Sequence, residues 1–109
     1  YIWKTLWKFI MTKEDKQEIY DYMINTNHTT YNTLKAIEEL NELSLILTQS
    51  LSKGCDENKI IEEIGDVKFR LKVIEARYDP QLIQERINYK LKKNLKYLKT
   101  KKYDNIWKQ

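Results

Sequence analysis

The sequence predicts an all-α fold of four main helices, with a short N-terminal helix as a candidate addition, and three observations carry that expectation. Only two Gly and one Pro occur in 109 residues, too few breakers for the many turns of a β-sandwich. Apolar residues recur at spacings of three and four over long stretches, which is the period of a helix with one side turned inward. Asp56 and Asp79, both good capping residues, stand just before two of those stretches. The length suits one domain spanning residues 1–109, with its core over residues 30–100.

Taken in order, residues 1–10 place Ile2, Leu6, Phe9 and Ile10 on one side of a short amphipathic helix. Lys4 and Lys8 interrupt that run and no small-residue cleavage site follows, so it is not read as a signal peptide. Met11 is a candidate internal start, which would make residues 1–10 an upstream extension. The first main helix begins at Thr12, carries Glu14 and Asp15 in its first turn, where the helix dipole favours acids, and runs to Met23. The polar cluster from Asn25 to Thr30 reads as a loop. A second helix runs from Thr29 or Thr30 to Lys53, with Gly54 as the residue that ends it. Asp56 caps a third, expected to reach Tyr78. Asp79-Pro80 opens the fourth, an N-cap acid with Pro at the first helical position, and that helix is carried to about Lys102, followed by a basic tail over 101–109.

The apolar faces imply how these helices pack. On the third, Ile60, Ile64, Val67, Leu71 and Ile74 form one stripe, while Gly65, Phe69, Val73 and Ala76 gather on the other side. On the second, Leu40, Leu43, Leu47 and Leu51 form a stripe with Leu45 and Ile46 away from it. The fourth carries Ile83, Ile87, Leu91, Leu95 and Leu98. Helices apolar on two sides are packed on two sides. The expected architecture is a central antiparallel pair completed into a bundle by association of copies, as a homodimer or homotetramer.

Composition excludes several classes. One cysteine and one histidine, Cys55 and His28, give no disulfide framework and no zinc set; both are read as loop residues, and a reducing cytoplasm is the default compartment. No apolar run approaches the roughly 18 residues that span a bilayer. There is no phosphate-cradling Gly loop and no nucleophile elbow. Residues 1–79 hold 11 basic and 14 acidic side chains, net −3, whereas residues 80–109 hold nine and two, net +7. The last third is where an anionic partner would be drawn, unless its lysines are simply a solvated face.

The acids that stand beside apolar stripes are the candidate site. Glu39 and Glu42 are three apart on the second helix, and Glu63 and Asp66 repeat the spacing on the third. Each adjoins a stripe and none lies at its centre. Asp15–Glu18 and Glu18–Asp21 have the same spacing, but on a helix with few apolar neighbours they suit a solvated face. If the second and third helices are antiparallel, the two acid pairs confront one another. Two carboxylates about 5 Å apart repel by roughly 3 kcal/mol at an effective dielectric of 20, a conflict that a hard divalent cation removes. An all-oxygen set without His or Cys points to Mg²⁺, with Mn²⁺ as the alternative, and to a phosphate-bearing substrate.

The segments EELNEL at 38–43 and EEIGDV at 62–67, joined by a short turn, resemble the ExxE…ExxD signature of MazG-like nucleotide pyrophosphohydrolases, within the all-α NTP pyrophosphatase superfamily. The resemblance covers residues 30–79 and extends to the fourth helix. It implies subunits that associate into four-helix-bundle cores, and Mg²⁺-dependent hydrolysis of a nucleoside triphosphate to the monophosphate and pyrophosphate. Carried over by motif, Glu39, Glu42, Glu63 and Asp66 would be the catalytic metal ligands, one of which could instead orient the attacking water. Lys59, one turn before Glu63, is a candidate phosphate contact, and Lys90 and Asn94, with Tyr97 on the same side of the fourth helix, are candidate phosphate or base contacts. Tyr89, Tyr97, Trp3, Trp7 and Trp107 could stack on a base, although aromatics at helical spacing more often serve core or interface. Two other classes stay open: a Lys-rich helical nucleic-acid-binding module using Lys90 to Lys108, and a non-catalytic interaction protein of the same fold. Against the former, the lysines are spread around the helix and no recognition-helix pattern stands out.

Overall fold

A few residues decide where the helices break. In a computed structural model, which describes residues 11–25 and 28–100, α1 spans Lys13–Asn25, α2 Thr29–Ser52, α3 Glu57–Glu75 and α4 Pro80–Lys99, with no strand among the described residues. At α1 the Thr12 hydroxyl accepts the Asp15 N–H at 3.0 Å while the Thr12 N–H donates to Asp15 Oδ2 at 3.2 Å, a reciprocal capping box with Asp in the acid position. The helix runs two residues past the expected Met23. His28 precedes α2 without a side-chain cap. At its other end the Lys53 N–H donates to the Gln49 carbonyl at 2.9 Å. Gly54 then takes φ +71°, a left-handed conformation that Gly adopts without steric cost.

Asp56 caps α3 by accepting the Asn58 N–H at 3.0 Å. That helix ends at Glu75 rather than at the expected Tyr78. The Arg77 N–H turns back to the Ile74 carbonyl at 3.2 Å, and Asp79 must be extended, at φ −69° and ψ 117°, because Pro80 follows it. Asp79 caps α4 by accepting the Gln81 N–H at 2.9 Å. α4 stops at Lys99 rather than Lys102, where the Thr100 hydroxyl returns to the carbonyls of Lys96 and Tyr97 at 3.0 and 3.3 Å.

Contacts part the chain between Arg77 and Tyr78 into two units. In the first, α2 and α3 are antiparallel: Arg77 Nη2, just beyond the end of α3, donates to Thr33 Oγ1 near the start of α2 at 3.5 Å. Buried and half-buried positions of α2 recur as Asn32, Ala36, Glu39, Leu43 and Ile46, and those of α3 as Glu63, Val67, Arg70 and Ile74. This corrects the expected α2 stripe. Of its four leucines only Leu43 lies in the seam, and Leu40, Leu47 and Leu51 are exposed. The helices meet at small Ala36 and at Asn32, and the rotation that brings those inward turns the other leucines to the next flank.

α3 is packed on two sides, as its composition implies. Val67 and Val73 are both buried although six positions apart, which places them about 120° from each other around the helix. α1 supplies one cover: the Tyr20 ring lies 5.7 Å from that of Phe69, with the Lys72 ammonium 4.4 Å over Tyr20. Buried Asn32 donates its amide to the Met23 carbonyl at 3.0 Å, satisfying one of the carbonyls left over at the end of α1.

The second unit contains α4, whose expected stripe forms with Ile87, Leu91, Leu95 and Leu98 exposed. Among the described residues no helix is long and apolar enough to cross a membrane. The expectations for Ile2, Leu6, Phe9 and Ile10, for Trp3, Trp7 and Trp107, and for the tail over 101–109 lie outside the described residues.

Candidate metal centre

The antiparallel register places Glu39 of α2 opposite Glu63 and Asp66 of α3, so that one carboxylate oxygen from each lies within 4.8 Å of the others. Glu39 and Glu63 are half-buried and Asp66 is exposed. Glu39 was expected beside a stripe; it occupies a seam position instead, in line with Ala36 and Leu43. Oε2 of Glu39 and Oε2 of Glu63 are shielded from solvent and have no hydrogen-bond partner. Glu42 is exposed and stands outside this triad, at its rim.

All three members are held above the ordinary carboxylate range. For Glu39 the first cause is burial, followed by the charges of Asp66 and Glu42; for Glu63 it is burial, followed by Glu42 and Asp66. Both lie within hydrogen-bonding reach of Glu42, a bond between carboxyls that exists only while a proton is shared and so favours the protonated form. Asp66 is raised first by burial and then by Glu42 and Glu62, with Arg70 opposing.

These residues fit a hard divalent cation. Two shielded oxygens face no donor, the three carboxylates converge, and the charge of Asp66 makes both Glu39 and Glu63 harder to ionise. A cation among them meets all three conditions with oxygen ligands alone. Beside Asp66 a groove of about 470 Å³ passes Ile61, Glu62 and Gly65. A Cβ built on Gly65 meets nothing within 4 Å, so packing among the described residues does not require glycine there.

The remaining expected site residues are placed differently. Lys59 is exposed in the first turn of α3. Lys90 and Asn94 belong to α4 in the other unit, where with Ile83, Arg86, Ile87 and Leu91 they border a groove of about 480 Å³. The Asn94 amide is spent on its own helix, donating to the Lys90 carbonyl at 2.6 Å, and the Lys93 ammonium lies 5.8 Å over the Tyr97 ring. Sequence reasoning missed Arg70, the cation whose charge reaches Asp66. Its spacing was legible: four residues after Asp66 and seven after Glu63, it shares their face. No known protein family, curated protein or solved structure matches this chain.

Proposed function

We propose that this chain is a Mg²⁺-dependent nucleoside triphosphate pyrophosphohydrolase, as its EELNEL and EEIGDV segments imply. The observation that carries the reading is the convergence of Glu39, Glu63 and Asp66 within 4.8 Å across two helices, with two carboxylate oxygens shielded and unpartnered. Those three side chains would hold the cation. When bound, it would offset charge on the phosphates and make a water more acidic. Glu42, exposed at the rim and within hydrogen-bonding reach of Glu39 and Glu63, orients the attacking water and accepts its proton. The water oxygen bonds to the α-phosphorus, the bond to the bridging oxygen breaks, and pyrophosphate leaves. The groove along Ile61, Glu62, Gly65 and Asp66 offers room beside the reacting centre.

The active form in this proposal is a homodimer or homotetramer. Ile37, Leu40, Leu47, Leu51 and Ile64 are all at least 40% exposed on α2 and α3, more apolar surface than a small domain ordinarily leaves to water.

The test is incubation with each common NTP and dNTP plus Mg²⁺, assaying monophosphate and pyrophosphate. Glu63→Gln is expected to lower turnover at least about 100-fold, the scale of losing a principal charged group from such a centre, while its helical circular dichroism is kept. Full activity in that variant removes Glu63 from the metal centre. Absence of monophosphate from every substrate removes the enzyme assignment.

A further inference from the structure

Arg70 lies at the end of the acid cluster in a state that its own chain does not explain. It is half-buried in the seam, its guanidinium carbon is 5.1 Å from the Phe69 ring centroid, and its Nη1 is shielded from solvent without a hydrogen-bond partner. A buried guanidinium N–H without an acceptor is costly. Its charge reaches Asp66, one turn earlier on the same helix, while the shielded oxygens of Glu39 and Glu63 are likewise unpartnered, so neither this donor nor those acceptors are satisfied by one another. A planar fork with five donors matches phosphate oxygens.

We infer that Arg70 is the anion-binding residue of this centre, receiving non-bridging oxygens of the pyrophosphate portion of the substrate. The inference rests on the metal-centre reading and adds a direction to it. Arg70 follows Asp66 by one helical turn on α3, and Lys35 precedes Glu39 by one turn on α2. Because the helices are antiparallel, both cations lie towards the same end of the pair. Lys35 is already paired there with Glu38 at 3.1 Å, whereas the shielded Nη1 of Arg70 has no acceptor. Lys59 precedes Glu63 and so lies towards the opposite end. The phosphate chain is therefore directed from the carboxylates towards Arg70, with Lys35 adding positive field beyond.

Calorimetry with Mn²⁺ alone, and then with inorganic pyrophosphate in the presence of Mn²⁺, separates the two claims. Arg70→Gln is expected to bind Mn²⁺ as tightly as the wild type or more so, since a repelling charge is gone. It should bind pyrophosphate about 10- to 100-fold more weakly, the range for losing a charge-assisted hydrogen bond. Arg70→Lys, keeping the charge without the fork, should fall between them. Lys68→Gln, which removes one positive charge from the exposed far side of α3, should bind pyrophosphate like the wild type. Pyrophosphate affinity within about 2-fold of wild type in Arg70→Gln overturns the role of Arg70 and leaves the metal centre standing. Parallel loss of Mn²⁺ and pyrophosphate binding assigns Arg70 a structural role and also overturns it. Absence of Mn²⁺ binding by the wild type overturns the metal centre and this inference together. If Arg70→Gln loses its helical circular dichroism, Arg70→Lys decides, and wild-type pyrophosphate affinity in that variant counts against the proposal.

Discussion

Glu39, Glu63 and Asp66 resist ionisation first because burial strips water from them and then because the charge of Glu42 faces all three. The consequence for stability has a definite sign. A carboxyl whose pKa is higher folded than unfolded supports the fold fully below its unfolded value, near 4, and that support is lost as pH rises through the folded value. The metal-free protein is therefore expected to lose melting temperature as pH climbs from about 4 towards neutrality. The double variant Glu39→Gln, Glu63→Gln should show a flatter profile. At pH 7, Mn²⁺ at about 100 times its dissociation constant should raise the wild-type midpoint by on the order of 10 °C and leave the double variant unmoved. Equal profiles for the two proteins without metal would dispose of the mutual repulsion.

The two glycines act with opposite sign on their helices. Gly54 ends α2 at φ +71°, so Gly54→Ala is expected to lower unfolding free energy by about 1 kcal/mol, the cost of a left-handed L-residue. Gly65 lies inside α3 with open space where a Cβ would stand, so Gly65→Ala should raise it by about 0.5 to 1 kcal/mol through helix propensity. Urea titration of both variants checks the pair of signs. A destabilising Gly65→Ala would mean that something other than the described residues packs against the groove beside Asp66. The caps at these helix ends were legible in the sequence: Thr12, Asp56 and Asp79 each accept the backbone N–H their positions imply. The overlong ends assigned to α3 and α4 arose because propensity does not register an extended residue forced by Pro80, or a Thr100 hydroxyl turning back on the last turn.

Across the whole molecule, Ala36, Val67 and Val73 are the buried apolar residues among those described, a small core for a domain of this length. α1 covers α3 at Phe69, which removes part of the surface that the sequence would assign to a neighbouring copy. Leu40, Leu47 and Ile64 remain exposed by 44, 44 and 40%. Light scattering is expected to give a mass at least twice the 13.3 kDa chain. Leu40→Lys with Leu47→Lys should return it to the monomer, since charge at an apolar contact opposes association. A wild-type monomer at micromolar concentration would remove association from the proposal.

By itself the sequence determined that the described chain is helical, where most helices begin, and which acids share a side of their own helix, because these follow from local backbone chemistry and a 3.6-residue period. Which side of one helix meets the next is not local. The stripe of Leu40, Leu43, Leu47 and Leu51 made the candidate seam in the sequence, and the observed seam is Asn32, Ala36 and Leu43. Only packing α2 against α3 chose the latter, turned Glu39 inward, and brought Arg70 to the end of the acid cluster, because a helix with several apolar flanks is committed only when a neighbour fills one of them.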